Sequence, residues 1–299
     1  MVRYGYACIN MHLQEQGFSV NRTMRKASFE REGLGSVSNK VIDNLKSLVK
    51  TISWNKNNGI QVYRMSSSMF PWMSHYEIED LPNISIIKNL LVGAGKIAID
   101  CNQRLSFHPG QFTVLSSPNQ KVVDASIKEL NQHAQIMDIM ELDKSHQYPI
   151  NIHLGGTYDS KIKSIDRFCH NFEKLSDSAK ARLVIENDDK ESMYSVKDLL
   201  IVNSRINTPI TFDYHHHKLH SDNISEEGAL ILALLTWKKK PIVHYSSSKR
   251  IHEDSTSKPQ AHADYIYERI ENYGNSFDCE IEAKAKEKAV LKYIKDYES

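Results

Sequence analysis

Two patterns of hydrophobic and polar positions alternate along the chain. Short runs with crowded or alternating apolar residues read as strands. Longer stretches with apolar residues every three or four positions read as helices. The strand-like runs are Val2–Ala7, Gln61–Met65, Arg104–Phe107, Ile150–His153, Leu183–Glu186, Ile210–Phe212, Ile242–His244 and Asp278–Glu282. The helical stretches are Val41–Ser53, Ile84–Cys101, Val122–Leu142, Ile165–Leu175, Tyr194–Val202, Glu226–Trp237, Gln260–Tyr273 and Glu282–Tyr297. Strands that alternate with helices imply parallel pairing through right-handed crossovers. Eight such units in 299 residues fit an α/β fold, a (β/α)8 TIM barrel built as a single domain over residues 1–299. An open doubly wound sheet is the alternative, but no GxGxxG follows the first strand. The loops Asn10–Lys40 and Ser66–Pro82 are expected to project from one face as a substrate wall.

Composition narrows the class without naming a chemistry. Hydrophobic residues make up 40% and charged residues 25%, an ordinary globular profile that excludes a disordered or collagen-like chain. Lys and Arg number 38 against 37 Asp and Glu. That balance excludes a uniformly basic coat but leaves room for a local basic groove. No run approaches the ~18 apolar residues of a membrane span, and the N-terminus lacks a secretory pattern. Cys8, Cys101, Cys169 and Cys279 are far apart with no CxxC pair. An intracellular, soluble protein with reduced thiols is expected, cytoplasmic in a prokaryote or nuclear in a eukaryote.

The 14 histidines change the picture through their placement. His108, His153, Glu186, Asp213, His244 and Glu282 each stand where one of six consecutive strands ends. In a parallel barrel those ends share the face where active sites are built. One such histidine would be an ordinary rim residue; six in register suggest a site. Imidazole and carboxylate without thiolate suit Mn, Zn or Fe(II). Six donors exceed what one catalytic ion needs, since such an ion keeps an open position. Two or three clustered ions suit in-line phosphoryl displacement. No GxSxG elbow supports a serine hydrolase.

The motifs resemble the UV damage endonuclease family. The likeness runs from Tyr4-Gly5-Tyr6-Ala7-Cys8 to Glu282-Ala283-Lys284. Its most specific pieces are Tyr63-Arg64-Met65-Ser66-Ser67, Phe107-His108-Pro109-Gly110-Gln111-Phe112 and Ile152-His153-Leu154-Gly155-Gly156. Ile185-Glu186-Asn187-Asp188-Asp189, Phe212-Asp213-Tyr214-His215-His216 and Val243-His244-Tyr245-Ser246-Ser247 complete them. The resemblance implies a monomeric TIM barrel with two or three divalent ions at the C-terminal face of the strands. Manganese is the leading ion, with zinc, cobalt or magnesium as alternatives. It implies metal-dependent nicking of double-stranded DNA immediately 5′ to UV photoproducts, pyrimidine dimers and 6-4 photoproducts, leaving a 3′-hydroxyl.

The ligands so implied are His108, His153, Glu186, Asp213, His216, His244, His262 and Glu282. Glu186, Glu282 and His244 are the implied catalytic residues, with the two glutamates expected to bridge ions. His215, His217 and His220 are read as neighbours of the site. Gln111 and Phe112 match a lesion-probing pair, with Phe in place of Tyr. Tyr6 and Asn10 are expected to face the cluster and the DNA. Arg64 is a candidate phosphate or carboxylate clamp, and Lys249, Arg250, Arg22 and Arg25 are candidate phosphate contacts. Where some members carry a modified lysine two residues before the histidine of strand 7, this chain has Ile242, which leaves the third ion's coordination open. The competing readings are an abasic-site endonuclease on the same fold, a sugar isomerase and a damage binder without activity.

Overall fold

The structure, a computed structural model, describes residues 2–158 and 160–298. In chain order its elements are β1 (Arg3–Ala7), α1 (Met11–Glu15), α2 (Lys26–Asn57), β2 (Val62–Met65), α3 (Ile84–Asp100), β3 (Arg104–Phe107) and α4 (Gln120–Ile139). There follow β4 (Ile150–His153), α5 (Lys161–Phe172), α6 (Asp177–Arg182), β5 (Leu183–Glu186), α7 (Val196–Ile206), β6 (Ile210–Asp213), α8 (Tyr214–Leu219) and α9 (Glu226–Leu234). The chain finishes with β7 (Ile242–Tyr245), α10 (Lys249–His252), β8 (Asp278–Ile281) and α11 (Glu287–Tyr297). The strands pair in parallel in sequence order, and β8 closes onto β1 with Arg3 opposite Asp278 and Gly5 opposite Glu280. This is the (β/α)8 barrel that the alternation predicts.

The helices form where the pattern places apolar residues on one face. Val37, Val41, Leu45, Leu48 and Ile52 line the buried side of α2, and Ile165, Phe168 and Phe172 that of α5. Local chemistry marks the boundaries. Ser195 and Asp198 form a reciprocal capping box that starts α7, and Asn207 ends it at φ 55°. No helix is long and apolar enough to cross a membrane.

Two expectations change. The loop expected over Asn10–Lys40 is largely helical, because α2 begins at Lys26 and continues through a break at Gly33 (φ 64°). The helix expected over Gln260–Tyr273 does not form. Its backbone groups are engaged elsewhere: Lys249 N donates to Ala261 O (2.8 Å), and Ala263 N to Ser247 O (2.9 Å). Ala263 O and Asp264 O in turn accept from Lys284 N and Ala285 N (both 3.0 Å). Those bonds replace the i to i+4 ladder. The spaced apolar residues Ile266 and Ile270 are still buried, but on an irregular segment.

The barrel interior is polar to an unusual degree. β3 and β8 are separated in the sheet by β1 and β2, so side chains that join them meet through the interior. At the base Asp278 binds Arg3 (2.8 and 2.5 Å), Arg104 (3.0 Å) and Lys240 (2.7 Å). Burial would raise the Asp278 carboxyl, but Arg3 and Arg104 hold it below the ordinary carboxylate range. One level up, Ser106 donates to Glu280. Removing the shared anion leaves two guanidinium groups without their counter-charge. Asp278→Ala should therefore lower unfolding stability by ~3–5 kcal/mol, measured by urea denaturation in chelator, while Asp278→Asn should cost less.

Candidate metal and nucleic-acid site

The C-terminal ends of the strands converge on Glu186. Its strand, β5, delivers the carboxylate to the barrel mouth, where it is 1% exposed. Glu186 Oε2 lies 3.0 Å from His108 Nε2, 3.2 Å from His244 Nδ1 and 3.9 Å from His153 Nε2. Oε1 lies 3.3 Å from His216 Nδ1. Asn151 adds an amide donor from β4. Four imidazoles from four strand ends thus surround one buried carboxylate.

The donors fall into two groups of three that share Glu186: His108, Glu186 and His244, and His153, Glu186 and His216. Within each group the donor atoms lie within 4.8 Å of one another. Two nitrogens and a shared carboxylate oxygen per group fit a pair of divalent ions of the Mn or Zn kind. Glu282, His262 and Asp213 stand at the edge of these groups. Glu282 Oε1 is 3.6 Å from His244 Nδ1, and its Oε2 is 3.5 Å from His262 Nδ1. Asp213 Oδ2 is 3.9 Å from His216 Nδ1.

Charge in the cluster is mutually compensated. Burial opposes ionisation of Glu186, but the surrounding histidines His244 and His153 pull its pKa well below the carboxylate range. Burial likewise opposes charge on His153, yet Glu186 and Asp188 lift it to about 9. His216 rises to about 11 against burial, through Asp213 and Glu186. Glu282 is lowered against burial by Arg64 and then His244.

Several expected contacts take other roles. Tyr6 does not face the cluster or the DNA. It lies on the outer side of β1, where its hydroxyl donates to Asn55 Oδ1 (2.7 Å) and accepts from Asn10 Nδ2 (2.8 Å). Strand alternation requires this, because Gly5 and Ala7 occupy the inner face. Asn10 is also buried, and its Oδ1 caps α1 by accepting from Leu13 N (2.9 Å). Arg64 is committed to carboxylates: it binds Glu282 and lies 3.6 Å from Glu280. The Arg22 guanidinium is tied to Ser19 O and Gly17 O of its own loop. Lys249 opens α10 on the β7 exit loop, half-buried, with Nζ 4.0 Å from Glu253. Arg25 and Arg250 are exposed. Ile242 packs with Val184 and Trp237, while Lys240 turns to Asp278 at the base. His215 faces His262, with ring centroids 5.5 Å apart, and His217 Nε2 lies 3.1 Å from Ile224 O.

Gln111 and Phe112 do reach the site's rim. Both line a cleft of ≈ 760 Å³ with Arg64, His108, His153 and Glu186. Phe112 is 82% exposed, so most of its ring is open to solvent at the edge of the cleft.

Sequence reasoning missed four neighbours of the ligands. Asp188 Oδ1 lies 3.1 Å from His153 Nδ1, which turns the other ring nitrogen toward Glu186. Asn151 binds Glu186, and Glu280 Oε2 lies 3.1 Å from His244 Nε2. A two-residue step from Glu186, His153 or Glu282 along its strand would have found each. Lys286 gave no such signal. It sits before α11 at φ 53°, and burial lowers its amine.

Comparison with known proteins is consistent along the chain. The family profile described as UV-endonuclease UvdE matches residues 2–299. A UV-damage endonuclease of Schizosaccharomyces pombe is 37% identical over 99% of this chain, which spans 51% of that protein. A UV DNA damage endonuclease of Bacillus cereus (strain Q1) is 32% identical over 100% of this chain and 95% of its own length. The chain thus spans about half the length of the yeast relative but nearly all of the bacterial one. The crystal structure of SacUVDE superposes with a TM-score of 0.87 at 34% identity, covering 99% of this chain and 97% of that one. A structure of L-ribulose 3-epimerase shares the barrel fold at 14% identity and a TM-score of 0.56.

The charge pattern sets a pH window for the metal-free protein. A histidine with a raised folded pKa stabilises fully below its unfolded value of 6.5 and loses that contribution as pH rises through the folded value. His153 therefore loses its share as pH climbs through about 9, and His216 through about 11. Glu186 and Glu282 have lowered pKa values, so they contribute above 4.5 and lose it as pH falls. In EDTA, the cluster's own contribution should be greatest between about pH 4.5 and 6.5, read by calorimetry as the difference in melting temperature between the wild type and Glu186→Gln across pH. A difference that is greatest above pH 8 would contradict this assignment.

Proposed function

The chain belongs to the UV-endonuclease UvdE family, and we propose that it is a metal-dependent DNA endonuclease. On this reading it nicks double-stranded DNA immediately 5′ to UV photoproducts, pyrimidine dimers and 6-4 photoproducts, and leaves a 3′-hydroxyl. It does so inside the cell, as a monomer, with residues 1–299 as one catalytic domain. The observation that carries the proposal is the carboxylate of Glu186 shared by four imidazoles at the mouth of the cleft. Two or three manganese ions are the preferred occupants.

His108, His153, His216 and His244 would hold the ions, and Glu186 would bridge them. When bound, such ions supply Lewis acidity, which lowers the pKa of an attacking water and offsets charge on the reacting phosphate and its leaving oxygen. The protein must present these donors deprotonated and fixed. Asp188 fixes His153 from behind. Arg64 holds Glu282 toward His244 and His262, so a flexible carboxylate is ready at the edge of the cluster.

Gln111 and Phe112 account for lesion selection. A photoproduct weakens pairing and stacking, so separating its bases costs less than in intact duplex. Phe112 is free to fill the space so opened and to stack on a neighbouring base, while Gln111 supplies an amide for an unpaired base edge. Lys249 and the exposed Arg250 would bind flanking phosphates.

A nicking assay on UV-irradiated and undamaged duplex tests the reading. Cleavage should be confined to the irradiated duplex, abolished by EDTA and restored by Mn2+. Equal cleavage of both duplexes would refute lesion selection. Cleavage confined to a duplex with an abasic analogue would favour an abasic-site enzyme instead. Glu186→Gln should remove activity with the fold intact by circular dichroism. Phe112→Ala should lower kcat/KM on the damaged duplex about tenfold, in line with ~1–3 kcal/mol for one stacked base, and leave the melting temperature unchanged.

A further inference from the structure

Glu280 is a carboxylate inside the barrel that the chemistry above leaves without a task. It sits on β8 one inward step below Glu282 and is 1% exposed. Its strand register places it opposite His244 on one side and Gly5 on the other. Each of its contacts is specific. Ser106 donates to Oε1 from β3. Arg64 Nη1 stands 3.6 Å from Oε2, and His244 Nε2 stands 3.1 Å from the same oxygen.

The histidine it touches has its two ring nitrogens in different surroundings. His244 Nδ1 faces the shared carboxylate of Glu186 at 3.2 Å and Glu282 at 3.6 Å, while Nε2 faces only the floor. An ionised carboxylate accepts and cannot donate. A divalent ion on the cluster side would take the Nδ1 lone pair, and a neutral ring so bound keeps its proton on Nε2, the nitrogen 3.1 Å from Glu280 Oε2.

We propose that Glu280 is the positioning residue of His244: from beneath the site it fixes which ring nitrogen carries the proton, and so presents Nδ1 as the metal donor. This rests on the reading that the cluster holds divalent ions. Glu280 is a fitting anchor because its own rotamer is held by Ser106 and Arg64, and because Gly5 keeps the neighbouring wall of the barrel narrow. A Cβ at Gly5 would stand 1.9 Å from Val62 O. Arg64 balances the charge of Glu280 and reaches Glu282 with the same guanidinium, so floor and rim are braced together. Outer partners of this kind raise ligand basicity and orient the ring, and their loss costs metal sites ~10–100-fold in affinity.

The test uses the full chain loaded with Zn2+ alone, which is diamagnetic, with histidines labelled by 15N. In the wild type, the His244 resonances should show a metal-bound Nδ1 and a slowly exchanging Nε2–H. Glu280→Leu should remove that protected Nε2–H signal. It should also weaken Zn2+ binding ~10–100-fold in a chelator competition without changing the number of ions bound. Should Glu280→Leu fail to fold, Glu280→Gln decides. Its amide keeps the volume but not the charge, so affinity should fall at least about threefold with the same stoichiometry. Unchanged affinity together with an unchanged Nε2–H in the folded variant would overturn the proposal. Loss of one ion from the count would also overturn it, by making Glu280 a ligand. A wild-type chain that takes up no Zn2+ would overturn the metal reading itself, and this inference with it.

Discussion

The buried carboxylate of Glu186 is the constraint around which the upper barrel is organised. An anion taken out of water is expensive unless its surroundings replace the lost hydration. Here the replacement comes from imidazoles just after β3, on β4, on β7 and in α8, and from the Asn151 amide. Each imidazole in turn leans on a second acceptor, such as Asp188 for His153 or Asn187 O for His216. A cluster of this kind attracts protons or metal cations with the same groups. Binding cations at neutral pH must therefore displace protons, and affinity and acidity become two views of one charge balance.

The same logic explains why the interior is polar far below the mouth. A barrel of this class ordinarily fills its centre with layers of bulky aliphatic side chains. In this chain Ser106, Glu280 and Arg64 occupy the middle, and Arg3, Arg104, Lys240 and Asp278 the base. Negative charge alternates with positive charge up the axis. Apolar contact enters where Ile242 meets Val184 and Trp237. The outer shell carries the conventional hydrophobic core between strands and helices, so the two layers divide the labour: aliphatic packing holds the fold, and ion pairs shape its centre.

Much of this was legible in the sequence, for a physical reason. A strand that ends in a parallel barrel is marked by a change from alternation to turn residues, and a charged side chain at that boundary can point only toward the mouth. His108, His153, Glu186 and His244 were therefore readable without coordinates. Tyr6 was expected at the site from the family resemblance alone, whereas β alternation turns it outward onto Asn55. The 260–273 segment was misread because Ile266 and Ile270 are buried at helical spacing by tertiary contact, with backbone bonds made to other segments. Glu280 and Asp188 stand two residues from Glu282 and Glu186 and were within reach of that spacing, but which nitrogen of a distant histidine each touches is set only by the fold.

The clasp between the chain's two ends has a consequence for folding. Arg3 meets Asp278, Tyr4 Oη donates to Glu298, and the Met11 and His12 amides donate to Glu287. β1 therefore waits for β8 before its second edge is paired and the basic base of the barrel is neutralised. Such long sequence separation slows folding and leaves an open parallel sheet exposed meanwhile. A chain that stopped before residue 278 would leave β1 and β7 each with an open edge, an unclosed, aggregation-prone sheet rather than a smaller working barrel.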